Sequence, residues 1–209
     1  MGKDFLHTNI SPKFSVKGWK TNNECFREEL AKADRVEISV AYCSCDSLRE
    51  LDRLVERLNI KYICLILGMH FFVGFSEDSY QLVLEINEKW MKRGMGEIRL
   101  THYFKHHEKL YCFYKNDQIF SVMFGSPNLS FLITEKMKKP KQNDMAWLSN
   151  DPFYLENSLE HMEILKLEEF TSNVVELEKY RTAEDEKPRE RKKSQKSKNH
   201  FQKGSLICR

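Results

Sequence analysis

The sequence predicts an α/β protein, an α-β-α sandwich around a mixed central sheet. Amphipathic helical segments alternate with short apolar runs over the first hundred residues, as they do where helices pack on a sheet. Further along, two strand-like segments are joined by a short polar turn that leaves no room for a crossover helix, so an antiparallel pair joins that sheet. A chain of 209 residues with 41% hydrophobic content can bury one sizeable core. One domain is therefore expected over residues 1–150, followed by a helical segment over 151–180 and a tail over 181–209.

The elements follow in order. Asn22 or Asn23 can cap a helix over residues 25–33, and residues 36–42 alternate as a strand does. With Asp46 or Ser47 as cap, Leu48, Leu51, Leu54, Val55 and Leu58 recur at helical spacing and stop at Asn59. Residues 62–67 are continuously apolar, which suits a central strand covered on both faces. An aromatic loop over residues 70–75 leads to a helix over 79–92, halted by Gly94 and Gly96. Phe71, Phe72, Phe75 and Phe104 read as core rather than as stacking platforms for bases. Residues 98–103 form a strand, 109–114 another, 115–118 a polar turn and 119–124 its partner strand. A further strand ends near Asn150, and the apolar positions between Leu155 and Tyr180 are largely helical in spacing.

Charge is uneven. Residues 181–209 carry ten Lys/Arg against four Asp/Glu, so the overall +3 becomes −3 for the rest of the chain. With few apolar side chains, that tail cannot offset the entropy of ordering itself, and it is expected to be a disordered basic arm that raises nucleic-acid affinity by counterion release. No apolar run reaches the roughly 18 residues that a membrane-crossing helix needs, and no secretory pattern opens the chain. Most of the six cysteines sit in apolar, strand-like segments as reduced core residues do, so a cytoplasmic protein without membrane association is expected. His102, His106, His107 and Cys112 have side chains aimed to different faces of extended chain, and neither a metal nor a cofactor is expected.

Function concentrates after residue 100. His107 and Lys109 are two apart leading into a strand, so both point to one face and Glu108 to the other. Across the hairpin, Gly125 lets the chain bend close to a ligand, Pro127 stiffens the loop, and Ser126 and Asn128 can offer a hydroxyl and an amide N–H to phosphate oxygens. A nucleophile, a cation and an amide donor at one point can hold and attack a phosphodiester. Lys136, Lys138, Lys139 and Lys141 follow as a basic loop, read as a phosphate-tracking rim for nucleic acid or as an ordinary solvated loop.

His107-Glu108-Lys109 followed by Gly125-Ser126-Pro127-Asn128-Leu129-Ser130 resembles the H-x-K and G-S-x-N signature of the phospholipase D superfamily. The short single-copy layout is similar to that of the NgoFVII-type restriction endonucleases. The resemblance implies a phospholipase D-like fold and a metal-independent DNA phosphodiesterase, with His107 as nucleophile forming a phosphohistidine. A second histidine would protonate the leaving oxygen. The chain holds one H-x-K, since His70, His161 and His200 lack a lysine at the required spacing, so that histidine is expected from a second copy and the protein is expected to be a homodimer. By the same resemblance Lys109 and Asn128 hold the non-bridging oxygens, and Asp144 fixes the tautomer of His107, with Glu135 as a weaker candidate. The acid that usually ends the H-x-K motif is replaced by Tyr114, and Asp117 sits in the turn as a turn former.

Family members of this kind continue into a DNA-reading domain, whereas the basic tail follows Tyr180 here. Specificity is thus expected from a separate domain or a methyltransferase system. The alternative is a nucleic-acid-binding protein that keeps the site's shape without turnover, suggested by Tyr114. A lipid-cleaving phospholipase would need two H-x-K copies or a membrane-binding surface.

Overall fold

The computed structural model describes residues 3–7, 20–133 and 143–176. The basic loop with Lys136, Lys138, Lys139 and Lys141, the weaker candidate Glu135 and the tail 181–209 lie outside the described residues. Strand β1 (Lys3–His7) precedes helix α1 (Asn22–Lys32), β2 (Arg35–Val40), α2 (Cys45–Arg57) and β3 (Tyr62–Leu67). A single turn α3 (His70–Val73), helix α4 (Glu77–Lys92) and strands β4 (Gly96–Thr101), β5 (Lys109–Lys115) and β6 (Gln118–Gly125) come next. A 3-10 turn (Leu129–Leu132), β7 (Met145–Ser149), α5 (Pro152–Leu165) and β8 (Thr171–Asn173) complete the set.

Helix starts are fixed by hydroxyls that lie one to three positions before the residues anticipated. Thr21, not Asn22 or Asn23, caps α1: its side chain accepts from Glu24 N, and its own N–H reaches the Glu24 carboxylate at 2.9 Å, a reciprocal capping box. Ser44, not Asp46 or Ser47, caps α2 in the same way, with Ser47 as its partner inside the first turn. Both asparagines of α1 are buried instead, and Asn22 Nδ2 donates to the Asp144 carbonyl at 3.1 Å.

Eight strands form one sheet in the order β1-β7-β6-β5-β2-β3-β4-β8. β2, β3 and β4 run parallel, and every other pairing is antiparallel. The sheet is thus mixed, with helices on both faces, as the alternation of elements predicts. One face carries Val36, Ile38, Val40, Leu65, Tyr111 and Phe113 against Phe26, Leu51, Leu54 and Trp90 of α1, α2 and α4. The other carries Cys64, Ile66, Leu110, Cys112, Tyr114 and Val122 against Met162 and Leu165 of α5. β5 therefore contributes alternate residues to two cores, as period-2 geometry requires.

Two elements depart from expectation. The helix expected to run toward residue 180 ends at Leu165, and Thr171–Asn173 instead pairs with β4. Thr171 Oγ1 donates to the Leu165 carbonyl at 2.7 Å, and Arg99 Nη2 reaches the carbonyls of Lys166 and Thr171 at 3.0 and 2.7 Å, so the freed helix-end acceptors are satisfied outside a helix. β1 had no counterpart in the sequence reading. It lies antiparallel on β7, with Leu6 fully buried. Among the described residues, no helix is long and apolar enough to cross a membrane.

Candidate active site

The hairpin brings the two halves of the motif together. β5 and β6 are antiparallel with Leu110 opposite Phe124, so Lys109 at the start of one strand lies beside Gly125 at the end of the other. Gly125 is obligatory for close approach, because a Cβ there would meet the Met145 carbonyl oxygen at 2.3 Å. Behind the loop, the Tyr111 hydroxyl donates to the Pro127 carbonyl at 2.6 Å. Phe26 packs edge-on against Tyr111 and Phe131 at 5.7 and 5.4 Å, holding the loop's two flanks to α1.

His107 is exposed and Lys109 is only 6% exposed. The Lys109 ammonium lies 2.8 Å from His107 Nδ1 and 2.8 Å from the His107 carbonyl oxygen. An ammonium can only donate, so Nδ1 is the acceptor in this arrangement. Burial pushes the Lys109 ammonium below the usual lysine range, and the negative charge of Asp144 works against that shift. Tyr42 stands edge-on to His107, ring centroids 6.1 Å apart.

Asn128 is oriented by an unambiguous contact. Its Oδ1 accepts from the Tyr42 backbone N–H at 3.1 Å, which leaves Nδ2 as the group turned away from that contact. Ser126 is differently engaged: its hydroxyl donates to Asp144 Oδ1 at 2.9 Å and accepts from Met145 N at 3.0 Å. That hydroxyl ties the loop to β7. Asp144 is 5% exposed, and its charge is felt by both Lys109 and Tyr111. The structure thus gathers His107, Lys109, Ser126, Asn128 and Asp144 around the end of the hairpin.

The sequence reading missed Tyr42, Asn22 and His70. Tyr42 lies just past the carboxyl end of β2, where ligands are commonly met in α/β sheets, and that position was the available signal. His70 stacks on Phe75 at 4.1 Å and takes the Cys43 N–H on Nε2 at 3.3 Å while packing edge-on to Tyr42. Burial lowers its proton affinity, so it serves as a neutral prop for Tyr42. The histidines and cysteine considered together in the sequence do not meet. His107 faces away from His106 and Cys112, and His102 Nε2 lies 3.2 Å from the Glu168 carbonyl.

A mixed sheet between helix layers, with a histidine and a lysine leading one strand of a hairpin and a G-S-x-N loop closing the other, defines a phospholipase D-like protein. The chain belongs to the family described as the NgoFVII restriction endonuclease N-terminal PLD domain, which matches residues 20–179. Among solved structures, the phosphatidylserine synthase of Haemophilus influenzae Rd KW20 is similar at a TM-score of 0.52 and 14% identity, over 82% of this chain and 39% of that one. A mutant yeast tyrosyl-DNA phosphodiesterase aligns at a TM-score of 0.37 and 13% identity, over 71% of this chain and 46% of its own. The chain spans less than half the length of either. No curated protein matches it by sequence.

Proposed function

We propose that this chain is a metal-independent DNA phosphodiesterase, an endonuclease of the restriction type, working through a phosphohistidine at a site shared by two copies. The observation that carries the reading is the buried Lys109 ammonium held 2.8 Å from an exposed His107 imidazole. A phosphate drawing that ammonium to its own oxygens frees the Nδ1 lone pair, so binding and unmasking of the nucleophile are one event. Lys109 and Asn128 Nδ2 then stabilise the charge that builds on the non-bridging oxygens. Asp144 offsets the lysine's charge and anchors Ser126. DNA as substrate is favoured by family membership.

The chemistry balances without a cofactor. A His107 nitrogen forms a bond to phosphorus as the phosphorus–oxygen ester bond breaks, and the departing alkoxide takes a proton from the imidazolium of His107 in the second copy. That imidazole, now neutral, accepts a proton from water as the water attacks phosphorus and breaks the phosphorus–nitrogen bond. Both histidines return to their starting states. Lys136, Lys138, Lys139 and Lys141 extend the proposal as a rim that follows the DNA backbone, and residues 181–209 as an arm that adds affinity without reading sequence. Sequence specificity comes from a separate domain or a methyltransferase system in this reading, and the cytoplasm is its compartment.

Incubation with plasmid DNA in EDTA tests it. Wild-type protein should nick and linearise the plasmid, while His107→Ala and Lys109→Ala should each lose about 10³-fold or more in rate with the dimer intact by light scattering. Quenching with alkaline detergent on end-labelled DNA should trap a label on the wild-type protein that survives alkali and is released by acid. Cleavage that requires added Mg²⁺, or that survives His107→Ala, would overturn the mechanism. Salt-sensitive DNA retention with no product would favour a binding protein without turnover.

A further inference from the structure

Strand alternation leaves a second constellation on the back of the proposed catalytic segment. His106 and Glu108 project to the face covered by α5, while His107 and Lys109 project to the other. From α5, His161 completes a group whose ligand atoms all lie within 4.8 Å of one another. Its Nε2 is 2.6 Å from Glu108 Oε2, and His106 Nε2 is 2.8 Å from Glu108 Oε1. We propose that His106, Glu108 and His161 form a binding site for one divalent cation of the zinc, cobalt and nickel class, separate from the phosphodiester chemistry.

Three observations support a cation here. Glu108 Oε1 is sealed from solvent with His106 Nε2 2.8 Å from it, a nitrogen that Ser39 Oγ also approaches at 3.0 Å. A buried carboxylate oxygen in that state is costly unless a positive centre faces it. Both imidazoles present the same atom, Nε2, to one carboxylate. With ligand bonds of about 2.0–2.2 Å, neighbouring donors of a tetrahedral ion stand roughly 3.3–3.6 Å apart, so a modest opening of these contacts admits an ion without moving the backbone.

The ligands are also held in advance. The His106 N–H donates to the Gly68 carbonyl at 3.1 Å, and a Cβ on Gly68 would lie 2.0 Å from the His106 carbonyl oxygen, so glycine alone permits that approach. His161 is followed by Met162, fully buried in the second core. Ligands from two packed elements keep their geometry better than ligands from loops. Two imidazoles and one carboxylate select borderline ions over Mg²⁺ or Ca²⁺. Because the His161 side chain is 44% exposed, water can complete the coordination and the ion can exchange. An ion there ties α5 to the stretch that carries His107 and Lys109, stabilising the folded chain in proportion to its occupancy.

The full chain, free of any affinity tag and stripped with a chelator, is titrated with Co²⁺ and, in parallel, melted in the presence of Zn²⁺. The wild-type protein should develop a visible d–d absorption band saturating at one ion per chain and should melt several degrees higher with Zn²⁺. His161→Ala and Glu108→Gln should weaken Co²⁺ binding by about 100-fold or more and abolish the thermal shift, while His102→Ala leaves both unchanged. His161 sits on the helix surface, so its variant keeps the test valid should Glu108→Gln fold poorly. Absence of the band in wild type, or equal binding by His161→Ala, would overturn the site. Cleavage in EDTA is unaffected by either outcome, so this proposal and the phosphohistidine reading fail separately.

Discussion

Tyr114 occupies the place where the resembled motif carries an acid, and the structure gives that replacement a physical account. Its hydroxyl donates to Glu37 Oε2 at 2.9 Å from within the second core. It lies five positions along the strand from Lys109, about 16 Å, and side-chain alternation turns it to the opposite face. A carboxylate at this position could not touch a phosphate held by Lys109. Glu37, one strand over, supplies the negative charge instead, and Arg35 stacks on the Tyr114 ring at 4.6 Å. Tyr114→Phe should therefore cost about 1.5–3 kcal/mol of stability, the value of a hydrogen bond to a charged partner, with DNA cleavage unchanged. Urea unfolding monitored beside the plasmid assay checks both halves, and a loss of cleavage at full stability would return Tyr114 to the site. The motif residues themselves were legible because H-x-K and G-S-x-N are local in sequence. The commitments of Ser126 were not, since they depend on Asp144 and Met145 across a strand pairing.

Helix α5 and strand β2 are joined by ionic contacts, Arg35 to Glu163 at 3.8 Å and Lys166 to the buried Glu37, and the second shapes how the fold responds to acid. Lys166, the C-cap of α5, reaches Glu37 Oε1 at 2.8 Å, and Arg35 reaches the same oxygen at 2.7 Å. Burial alone would raise the Glu37 carboxyl, but hydrogen bonds and charge from Lys166 and Arg35 prevail and hold it below its ordinary 4.5. A carboxyl depressed in the folded state contributes stability that is fully present above its unfolded value and is lost as pH falls through the folded one. Lys166→Met removes the larger of the two cationic contributions that oppose burial and leaves Arg35 alone, so the acid loss of stability should begin at higher pH, with about 1–3 kcal/mol already missing at neutral pH. Melting temperatures from pH 7 to pH 3 measure this, and parallel profiles for the two proteins would refute it. The element pattern was readable wherever hydrophobic periodicity is local, as in α2, α4 and β3. The strand β8 was hidden because Thr171, Ser172 and Asn173 gain their extended form from pairing with β4, and β1 because its partner β7 lies some 140 residues away. His161 was invisible as a partner of Glu108 for the same reason.

At the scale of the whole molecule, one chain presents one exposed His107, which is half of what the proposed two-histidine reaction needs. The buried side of the site, with Lys109, Asp144 and the braced Ser126, is complete within the chain. The open side is the imidazole, where a second copy can meet it across a two-fold axis. This arrangement makes a quantitative prediction about mixed assemblies. If wild-type and His107→Ala chains are co-expressed in equal amounts and assort at random, about one quarter of dimers carry two imidazoles, about one half carry one and about one quarter carry none. The cleavage rate per total protein should then fall to about one quarter of the wild-type value, whereas a chain that works alone would retain about one half. Two differently tagged chains purified in tandem sharpen the comparison, because the isolated heterodimer should be nearly inactive in EDTA while sedimenting as a dimer. A heterodimer that turns over at half the wild-type rate would place the complete reaction within one chain and require the proton donor to be found there.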